Sequence, residues 1–287
     1  MDLCRWVPSQ QATNQSQAFN MQSAVPSPSS TGQVHRATVL GVGISAINMA
    51  QAFEAIDAWI ARSQAHYVCV TPAHAVMDAR RDPEFRRILN RSGLTTPDGM
   101  AIVWLLRLQG HRHVERVYGP DLMLAVCEAG LAKGVRHFLY GGESGVADEL
   151  ASHLRGRFPN LKIAGTRSPP FGPPTSEEDS QATLAINGSQ ADIVWVGLST
   201  PKQERWMAGH VGHLEAPVLI GVGAAFDFLS GRKPQAPRWM QRSGLEWLFR
   251  LASEPRRLWP RYRQYPLFVL LVLAQMLGLR RYPISED

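Results

Sequence analysis

Short apolar runs and longer amphipathic segments alternate along the chain from Ala37 to Val222. The short runs are rich in Val, Ile and aromatic residues, which is typical of buried strands, whereas the longer segments repeat apolar residues at helical spacing. This alternation predicts an α/β fold, with a Rossmann-like, mostly parallel sheet flanked by helices. The predicted strands are Ala37–Gly43, Tyr67–Val70, Arg136–Tyr140, Pro159–Gly165, Ile193–Val196 and Pro217–Val222. The predicted helices are Ala46–Arg62, His74–Asp82, Pro83–Asn90, Met100–Leu108, Leu122–Gly134, Val146–Arg157, a segment that ends at Asn187, and Pro201–His213.

Polar and glycine-rich residues directly follow several of these strands. Sheets of this kind bind ligands outside the carboxyl ends of their strands, so Thr71, Gly197–Gln203 and Gly223–Asp227 are expected at one edge of the sheet. The turn Gly141–Gly145 lies between a strand and a helix, where free N–H groups suit a diphosphate, although a simple packing turn is equally consistent. Asp227 is consistent either with a contact to a nucleotide base or with a buried turn.

A candidate for chemistry lies in the stretch Thr95–Leu122. Thr-Pro-Asp-Gly is a turn sequence, and the apolar run Met100–Leu108 follows it, so Asp98 lies where a loop becomes a helix. A carboxylate at that place either caps the helix by accepting its free N–H groups or acts as a general base at the rim of a cleft. The residues alone leave both interpretations open.

Positive charge is concentrated near the C-terminal end of the chain. Of the 287 residues, 45% are hydrophobic and 19% charged, which is typical of a globular protein. Between Arg232 and Arg281, eleven Lys or Arg accompany two acids, a net charge of +9, whereas the remainder has 19 basic and 22 acidic residues, a net charge of −3. The predicted domains are a disordered leader without a secretory signal at 1–36, an α/β catalytic domain at 37–230, and a basic amphipathic appendage at 231–287.

The sequence predicts no bound metal and no cofactor. Its three cysteines, Cys4, Cys69 and Cys127, are far apart and have neither disulfide nor zinc spacing, which favours a reducing cytoplasm. There is no Asp-x-Asp sequence, and no acidic residue follows Gly41-Val42-Gly43 at the spacing that the ribose of a dinucleotide requires. No nucleic-acid partner is predicted.

Several motifs occur in a fixed order over residues 37–262. They are TPDGM, ERVYGPDL, FLYGGESG, VGLSTPKQERW, GVGAAFDFLSGRKPQAPRWMQRSGLEWLFRL and EPRRLWPRY. In this order they resemble the WecG/TagA/CpsF family of bacterial glycosyltransferases. The resemblance implies an inverting transfer of a sugar from a UDP-sugar donor to a saccharide on a polyprenyl diphosphate, in the synthesis of cell-surface polysaccharide.

The resemblance also implies roles for individual residues. Asp98 falls on the position of the catalytic base, and Thr71, Arg116 and Gln203 fall on polar active-site positions. In much of the family the Thr71 motif continues to an asparagine, whereas here it reads Thr71-Pro72-Ala73-His74, as in capsule- and exopolysaccharide-type members. The predicted catalytic residues are Asp98, Arg116 and Gln203, and substrate contacts are predicted for Thr71, Gly141, Gly142, Gly223, Asp227, Arg250 and Arg257.

The appendage is predicted to bind phosphate groups and the membrane surface. Without a metal, the charge of a departing nucleoside diphosphate would fall to arginines such as Arg116, Arg250 and Arg257, because a guanidinium binds phosphate through two hydrogen bonds. Aromatic and basic residues alternate from Trp239 onwards, as in a basic amphipathic helix at an anionic membrane. The apolar run Leu267–Leu279 would span roughly 20 Å as a helix, which is too short to cross the hydrocarbon core. A peripheral place on the cytoplasmic face of the membrane is therefore expected.

Two alternatives belong to other functional classes. One is a Rossmann-type oxidoreductase, which the missing acidic residue after the first glycines disfavours. The other is a non-enzymatic protein that binds nucleotides at the membrane surface and uses its basic appendage only as an anchor. A UDP-binding titration would separate these alternatives, because only the transferase is expected to prefer UDP over both NAD and buffer.

Overall fold

Six parallel strands form the central sheet of this protein in a computed structural model, which describes residues 34–170, 172 and 174–284. The predicted α/β, Rossmann-like fold is therefore confirmed, whereas the predicted leader lies almost entirely outside the described residues. In chain order the strands are β1 Arg36–Val39, β2 Val42–Ser45, β3 His66–Thr71, β4 Leu94–Pro97, β5 Arg136–Gly141, β6 Lys162–Arg167, β7 Ile193–Gly197 and β8 Val218–Gly221.

The strand order in the central sheet is β4-β3-β8-β7-β5-β6, and every neighbouring pair is parallel. The register places Val68 of β3 opposite Leu94 of β4 and Ile220 of β8. The strands are buried because both faces of the sheet carry apolar side chains, as Cys69 and Val70 do on consecutive positions of β3. This is why these strands read as continuous apolar runs in the sequence.

Helices cover both faces of the sheet. One face packs against α2, α3, α4, α7, α8 and α13, and the other against α1, α5, α6 and α9. The helices are α1 Met49–Ala61, α2 Ala73–Arg81, α3 Pro83–Arg91, α4 Met100–Leu108, α5 Gly119–Gly130, α6 Val146–Arg157, α7 Ser176–Gly188, α8 Lys202–His210, α9 Ala225–Leu229, α10 Arg238–Arg242, α11 Glu246–Ser253, α12 Pro255–Tyr262 and α13 Tyr265–Met276.

The first predicted strand is in fact a hairpin outside the central sheet. Ala37–Gly43 was expected to be continuous, but β1 and β2 are antiparallel and are joined by a turn at Leu40 and Gly41. Both turn residues have positive φ, 51° and 90°, as a tight hairpin requires. Leucine rarely adopts a positive φ. Of the two turn residues, therefore, only Gly41 indicates the turn in the sequence.

The edge strand β4 was missed because its residues read as a turn. Its two threonines are polar, and Pro97 lies directly before Asp98. Inside the protein the hydroxyl of Thr95 donates to the carbonyl oxygen of Leu89 at 2.7 Å, and Thr95 also lies 2.8 Å from the hydroxyl of Ser92. The polar side chain of Thr95 is therefore buried with its hydrogen bonds satisfied. A strand can form here although the sequence has no apolar run.

The C-terminal segment folds back onto the rest of the chain. Phe268 of α13 is buried in the same apolar cluster as α2, and the Gln275 side chain bonds to the backbone of Thr38 and Leu40 in the hairpin. The predicted amphipathic helix is divided into α10 and α11 around Gly244, whose φ of 74° lies in the left-handed region. No helix among the described residues is both long and apolar enough to cross a membrane. Residues from Val34 onwards form one compact unit, so the boundary predicted at 230/231 stays an expectation.

Candidate active site

Polar loops at the carboxyl ends of four neighbouring strands meet at one edge of the sheet. Asp98 follows β4, His74 follows β3, Gly223 follows β8, and the loop that leads to Gln203 follows β7. Two cavities adjoin there, a small one of about 70 Å³ and a large one of about 720 Å³. Both cavities are lined by Pro72, His74, Asp98 and Arg250.

Asp98 forms the centre of a buried ion network. The Nε and Nη2 atoms of Arg116 donate to Oδ1 of Asp98 at 3.1 and 3.0 Å. The same Nη2 atom lies 2.6 Å from Oε2 of Glu246, the first residue of α11. Within the described part of the chain, no group donates a hydrogen bond to Oδ2 of Asp98. Arg116 therefore holds one oxygen of the carboxylate, while the other has no protein donor in a residue that lines both cavities.

Backbone contacts fix this network to the sheet. The amide of Asp98 donates to the carbonyl oxygen of Thr71 at 3.2 Å, and the amide of Val117 donates to that of Pro97 at 3.0 Å. The first of these bonds ties Asp98 to β3, and the second holds the loop with Arg116 beside β4. The capping interpretation of Asp98 is wrong, because α4 begins after Gly99 and has no side-chain cap.

Burial and neighbouring charges determine the proton affinity of these groups. Burial raises the pKa of Asp98, and Arg116 counteracts part of that rise while the charge of Glu246 adds to it. Burial alone would lower the pKa of Arg116, but the two carboxylates outweigh it and raise that pKa. Arg116 therefore remains charged, and its guanidinium also stacks 4.0 Å from the ring centre of Tyr118. Asp98 thus combines an unshared oxygen with a raised proton affinity, as a general base requires.

Three arginines of the appendage line the small cavity. They are Arg250 of α11 and Arg257 and Arg261 of α12. Arg257 pairs with Glu254, whereas neither Arg250 nor Arg261 forms an ion pair within the described residues. Burial lowers the pKa of Arg261, and the positive charges of Arg257 and Arg250 lower it further. Crowded, incompletely neutralised guanidinium groups at the edge of a parallel sheet favour an anionic ligand such as a phosphate.

Gln203 and Glu204 lie in the first turn of α8. Residues at such positions are commonly exposed, but these two are buried. The Gln203 amide donates to Oε1 of Glu204 at 3.0 Å, and the hydroxyl of Thr200 donates to the same atom at 2.9 Å. The side-chain oxygen of Gln203 has no hydrogen-bond partner among the described residues, although Gln203 lines the small cavity. Burial raises the pKa of Glu204. An unsatisfied amide oxygen at a cavity is available to a ligand that can donate a hydrogen bond.

The large cavity is mostly apolar and aromatic. It lies between α4 and the helices of the appendage, and charged groups are grouped near the end shared with the small cavity. Its apolar lining includes Trp104, Trp247, Leu251, Trp259, Tyr262, Tyr265, Phe268 and Val269. Several of these side chains are also exposed, among them Trp259, which is 59% accessible. Such a cavity suits an apolar group that is joined to a polar one at the Asp98 end.

The structure brings six of the ten predicted site residues to these two cavities. They are Asp98, Arg116, Gln203, Gly223, Arg250 and Arg257. The other four line neither cavity. The hydroxyl of Thr71 donates to the carbonyl oxygen of Cys69 at 3.1 Å, and Asp227 pairs with Lys233 at 2.8 Å. The Asp227 side chain is partly buried, at 24% accessibility, and its contact with a nucleotide base stays a prediction.

Gly141 and Gly142 have a close-packing role. A side-chain carbon on Gly141 would lie 2.6 Å from the backbone of Gly197, and one on Gly142 would lie 2.7 Å from Val146. The packing-turn interpretation therefore has direct geometric support. A contact between this turn and a diphosphate stays a prediction.

Glu246, Arg261 and His74 also line these cavities but were not among the predicted site residues. Glu246 was counted only as one of two acids in a basic segment, and Arg261 was named only among the appendage arginines that could offset the charge of the leaving group. His74 was noticed as a departure from the family motif, but it was given no role. A search for polar residues two or three positions after each strand would have found His74, whereas no local signal identifies Glu246.

Comparisons with known proteins agree with this geometry. The model of the family described as "Glycosyl transferase WecG/TagA/CpsF family" matches residues 37–282. A protein of Bacillus subtilis (strain 168), named N-acetylglucosaminyldiphosphoundecaprenol N-acetyl-beta-D-mannosaminyltransferase, is 32% identical over 197 residues, which cover 69% of this chain and 75% of the relative. A protein of the same name from Bacillus spizizenii (strain ATCC 23059 / NRRL B-14472 / W23) is 29% identical over 196 residues, which cover 68% and 74%.

The family match covers the sheet, both cavities and most of the appendage. It supports neither the oxidoreductase nor the non-enzymatic alternative, and it confirms the resemblance that the ordered motifs indicated. The chain is a glycosyltransferase and belongs to the WecG/TagA/CpsF family.

Proposed function

We propose that this protein transfers a sugar from a UDP-sugar to a saccharide carried on a polyprenyl diphosphate, with inversion at the anomeric carbon. The observation that carries the proposal is the position of Asp98, which has an unshared Oδ2 and lines both the arginine-lined cavity and the aromatic one. A transferase of this kind needs a base, a stabilised leaving group and a site for a lipid-linked acceptor. Each requirement has candidate residues at this place.

Asp98 is the proposed general base. It would take the proton of the acceptor hydroxyl as the oxygen of that hydroxyl bonds to the anomeric carbon of the donor sugar. The bond between that carbon and the diphosphate breaks in the same displacement, and UDP leaves with the electron pair. A single displacement inverts the anomeric configuration and requires one correctly placed base. Arg116 holds Oδ1 and leaves Oδ2 for the proton.

Arg250, Arg257 and Arg261 are the proposed ligands of the departing diphosphate. They line the small cavity, and preorganised positive charge near a departing phosphate lowers the energy of the transition state. Gly223, whose φ is 51°, allows close approach of the backbone at the end of β8. Gln203 would position the sugar or the nucleotide through its unsatisfied oxygen.

The large cavity is the proposed site of the acceptor. Its volume and aromatic lining suit an apolar chain, while Arg116 and Arg250 at its polar end suit the diphosphate to which the chain is linked. The printed names of the two Bacillus relatives describe an acceptor that also consists of a sugar on a diphosphoundecaprenol. Their names describe an N-acetylmannosaminyl group as the one transferred, but the donor hexose of the present protein is left to experiment.

The direct test uses the purified full chain, a lipid-linked acceptor and a panel of UDP-sugars. Formation of a product that is heavier by one sugar residue, together with release of UDP, is expected for at least one donor. Mass spectrometry identifies the product, and NMR of the new linkage shows whether the configuration is inverted. Transfer with retained configuration would contradict the single-displacement mechanism, and the absence of transfer with every donor would contradict the proposal.

Chelation is expected to leave the rate unchanged. The described residues contain no group of three or more His, Cys, Asp and Glu that could hold a metal, and the proposed diphosphate ligands are arginines. Initial rates should therefore agree with and without millimolar EDTA. If EDTA abolishes the activity and added manganese or magnesium restores it, the arginines are not sufficient for the leaving group.

Membrane association is expected to depend on the exposed face of α13. Leu270 and Leu273 are 64% and 50% accessible there, although the opposite face of the helix packs on the protein. Burying a leucine side chain contributes about 1.5–3 kcal/mol, so changing both to Gln should weaken binding to phosphatidylglycerol vesicles by about 100-fold or more. Leu184→Gln is the matched control, because Leu184 is 72% accessible on α7. If the wild type, the double variant and Leu184→Gln co-sediment equally with the vesicles, this face of α13 does not bind the membrane.

A further inference from the structure

His74 lies in the candidate site but is neither the proposed base nor one of the proposed phosphate ligands, so its role there is still to be assigned. It is the second residue of α2, directly after β3, and it lines both cavities together with Pro72, Asp98 and Arg250. A side chain common to the two cavities lies where donor and acceptor must meet. Any polar group on it is therefore within the space in which the sugar is transferred.

The imidazole of His74 is buried but lacks a protein partner. The residue is only 8% accessible, yet none of the described residues forms a hydrogen bond with either ring nitrogen. The partly buried His210 of α8 shows the usual arrangement, since its two nitrogens lie 2.8 Å from the carbonyl oxygen of Trp206 and 3.1 Å from Asp179. Because His74 lines both cavities, its unpaired ring nitrogens are available to a ligand there.

The surroundings of His74 keep the ring uncharged. Burial lowers its pKa to about 3, and the positive charges of Arg261 and Arg250 contribute to that shift. At neutral pH the ring therefore has one N–H donor and one nitrogen acceptor. This pair complements a hydroxyl or an amide, each of which can both donate and accept. A phosphate without protons offers acceptors alone, and the neighbouring arginines already match it better.

We infer that His74 is a substrate-binding residue, which hydrogen-bonds an uncharged hydroxyl or amide substituent of a sugar at the junction of the two cavities. The inference rests on the proposed sugar transfer and adds to it a residue that recognises the saccharide itself. The substituent belongs either to the donor sugar or to the terminal sugar of the acceptor. The two sources share the same chemistry, and kinetics with each substrate distinguishes them.

The test compares His74→Phe, which fills the same space without hydrogen bonds, with His74→Gln, which restores a donor and an acceptor. For His74→Phe we expect kcat/KM to fall by about 10–100-fold, since the sugar group loses its partner. The Kd of UDP should change by less than about threefold, because UDP lacks the sugar that the ring is proposed to contact. His74→Gln should recover most of the lost kcat/KM.

The substrate whose KM rises identifies the source of the group. A higher KM for the UDP-sugar assigns the contact to the donor, and a higher KM for the lipid-linked saccharide assigns it to the acceptor. In the wild-type protein, a deoxy analogue of that sugar should show the same loss as His74→Phe does with the complete sugar. If His74→Phe does not fold, His74→Ala replaces it in the same comparison.

Three results would overturn the inference while leaving sugar transfer intact. The first is a wild-type kcat/KM in His74→Phe. The second is an equal loss of affinity for UDP alone, which would place the ring at the phosphates. The third is a folded His74→Gln protein as impaired as His74→Phe, which would show that shape alone matters. An inactive wild-type protein with every UDP-sugar would instead overturn the proposed function, and this inference with it.

Discussion

Replacing Asp98 with asparagine is expected to lower kcat for sugar transfer by about 10²–10⁴-fold, the usual contribution of a general base. Asparagine has the same shape, and its side-chain oxygen can still accept the hydrogen bonds of Arg116, but it cannot take a proton at pH 7. The fold should be retained, because Arg116 keeps its ion pair with Glu246. Initial rates, the melting temperature and the Kd of UDP separate loss of chemistry from loss of structure.

The pH dependence gives an independent measure of the same role. Burial raises the pKa of Asp98 above its usual 3.8, so the wild-type rate should fall as the pH decreases towards that raised value and the carboxylate becomes protonated. The residual rate of Asp98→Asn should lack this decrease. Asp57→Asn is the control for removal of a carboxylate, because Asp57 pairs with Lys133 and lines neither cavity. Near-normal turnover of Asp98→Asn would exclude Asp98 as the base.

Parts of this site could be predicted because strand ends converge in a parallel sheet. The runs that became β3, β5, β7 and β8 are buried on both faces, and they are therefore apolar and easy to recognise. Once the strands are known, the residues that follow them are expected at one edge. This reasoning placed Gln203 and Gly223 beside the two cavities, whereas Asp98 was identified from its turn sequence and from the family resemblance.

The features that the sequence did not predict depend on contacts between segments that are far apart in the chain. Strand β4 is stable because its threonine hydroxyls are satisfied by α3 and the loop after it, which no local pattern records. Gly141 follows a strand as expected, but the close approach of Gly197 gives the glycine a packing reason. Glu246 reaches Arg116 only because α11 folds back across the site, and this depends on the packing of the whole appendage.

Replacing Arg116 with methionine is expected to cause the largest loss of stability, because it leaves Asp98 and Glu246 without their shared cation. The three side chains are 14%, 16% and 11% accessible, so the two carboxylates cannot be well solvated. Removing one member of a buried ion network typically costs about 3–5 kcal/mol. Denaturant unfolding at neutral pH should show a decrease of this order in the free energy of unfolding, and activity should be lost as well.

The loss in the free energy of unfolding caused by Arg116→Met should become smaller at lower pH. The direction of this pH dependence follows from the pKa of Asp98. Its pKa in the folded protein is already above the unfolded value of 3.8, and without Arg116 it rises further. The folded state then binds a proton more tightly than the unfolded state does, so stability is gained as the pH falls through the folded pKa towards 3.8 and lost as the pH rises through the folded pKa.

Arg238→Met is the matched control for Arg116→Met, because Arg238 also pairs with an aspartate, Asp121, and also links the appendage to the sheet domain. The two side chains of that pair are 60% and 32% accessible, and exposed pairs contribute only about 0–1 kcal/mol. An equally small effect of Arg116→Met, without pH dependence, would show that the Asp98–Arg116–Glu246 network is solvated. A large, pH-dependent effect would show that the docked appendage holds the base and its arginine together as one charged unit.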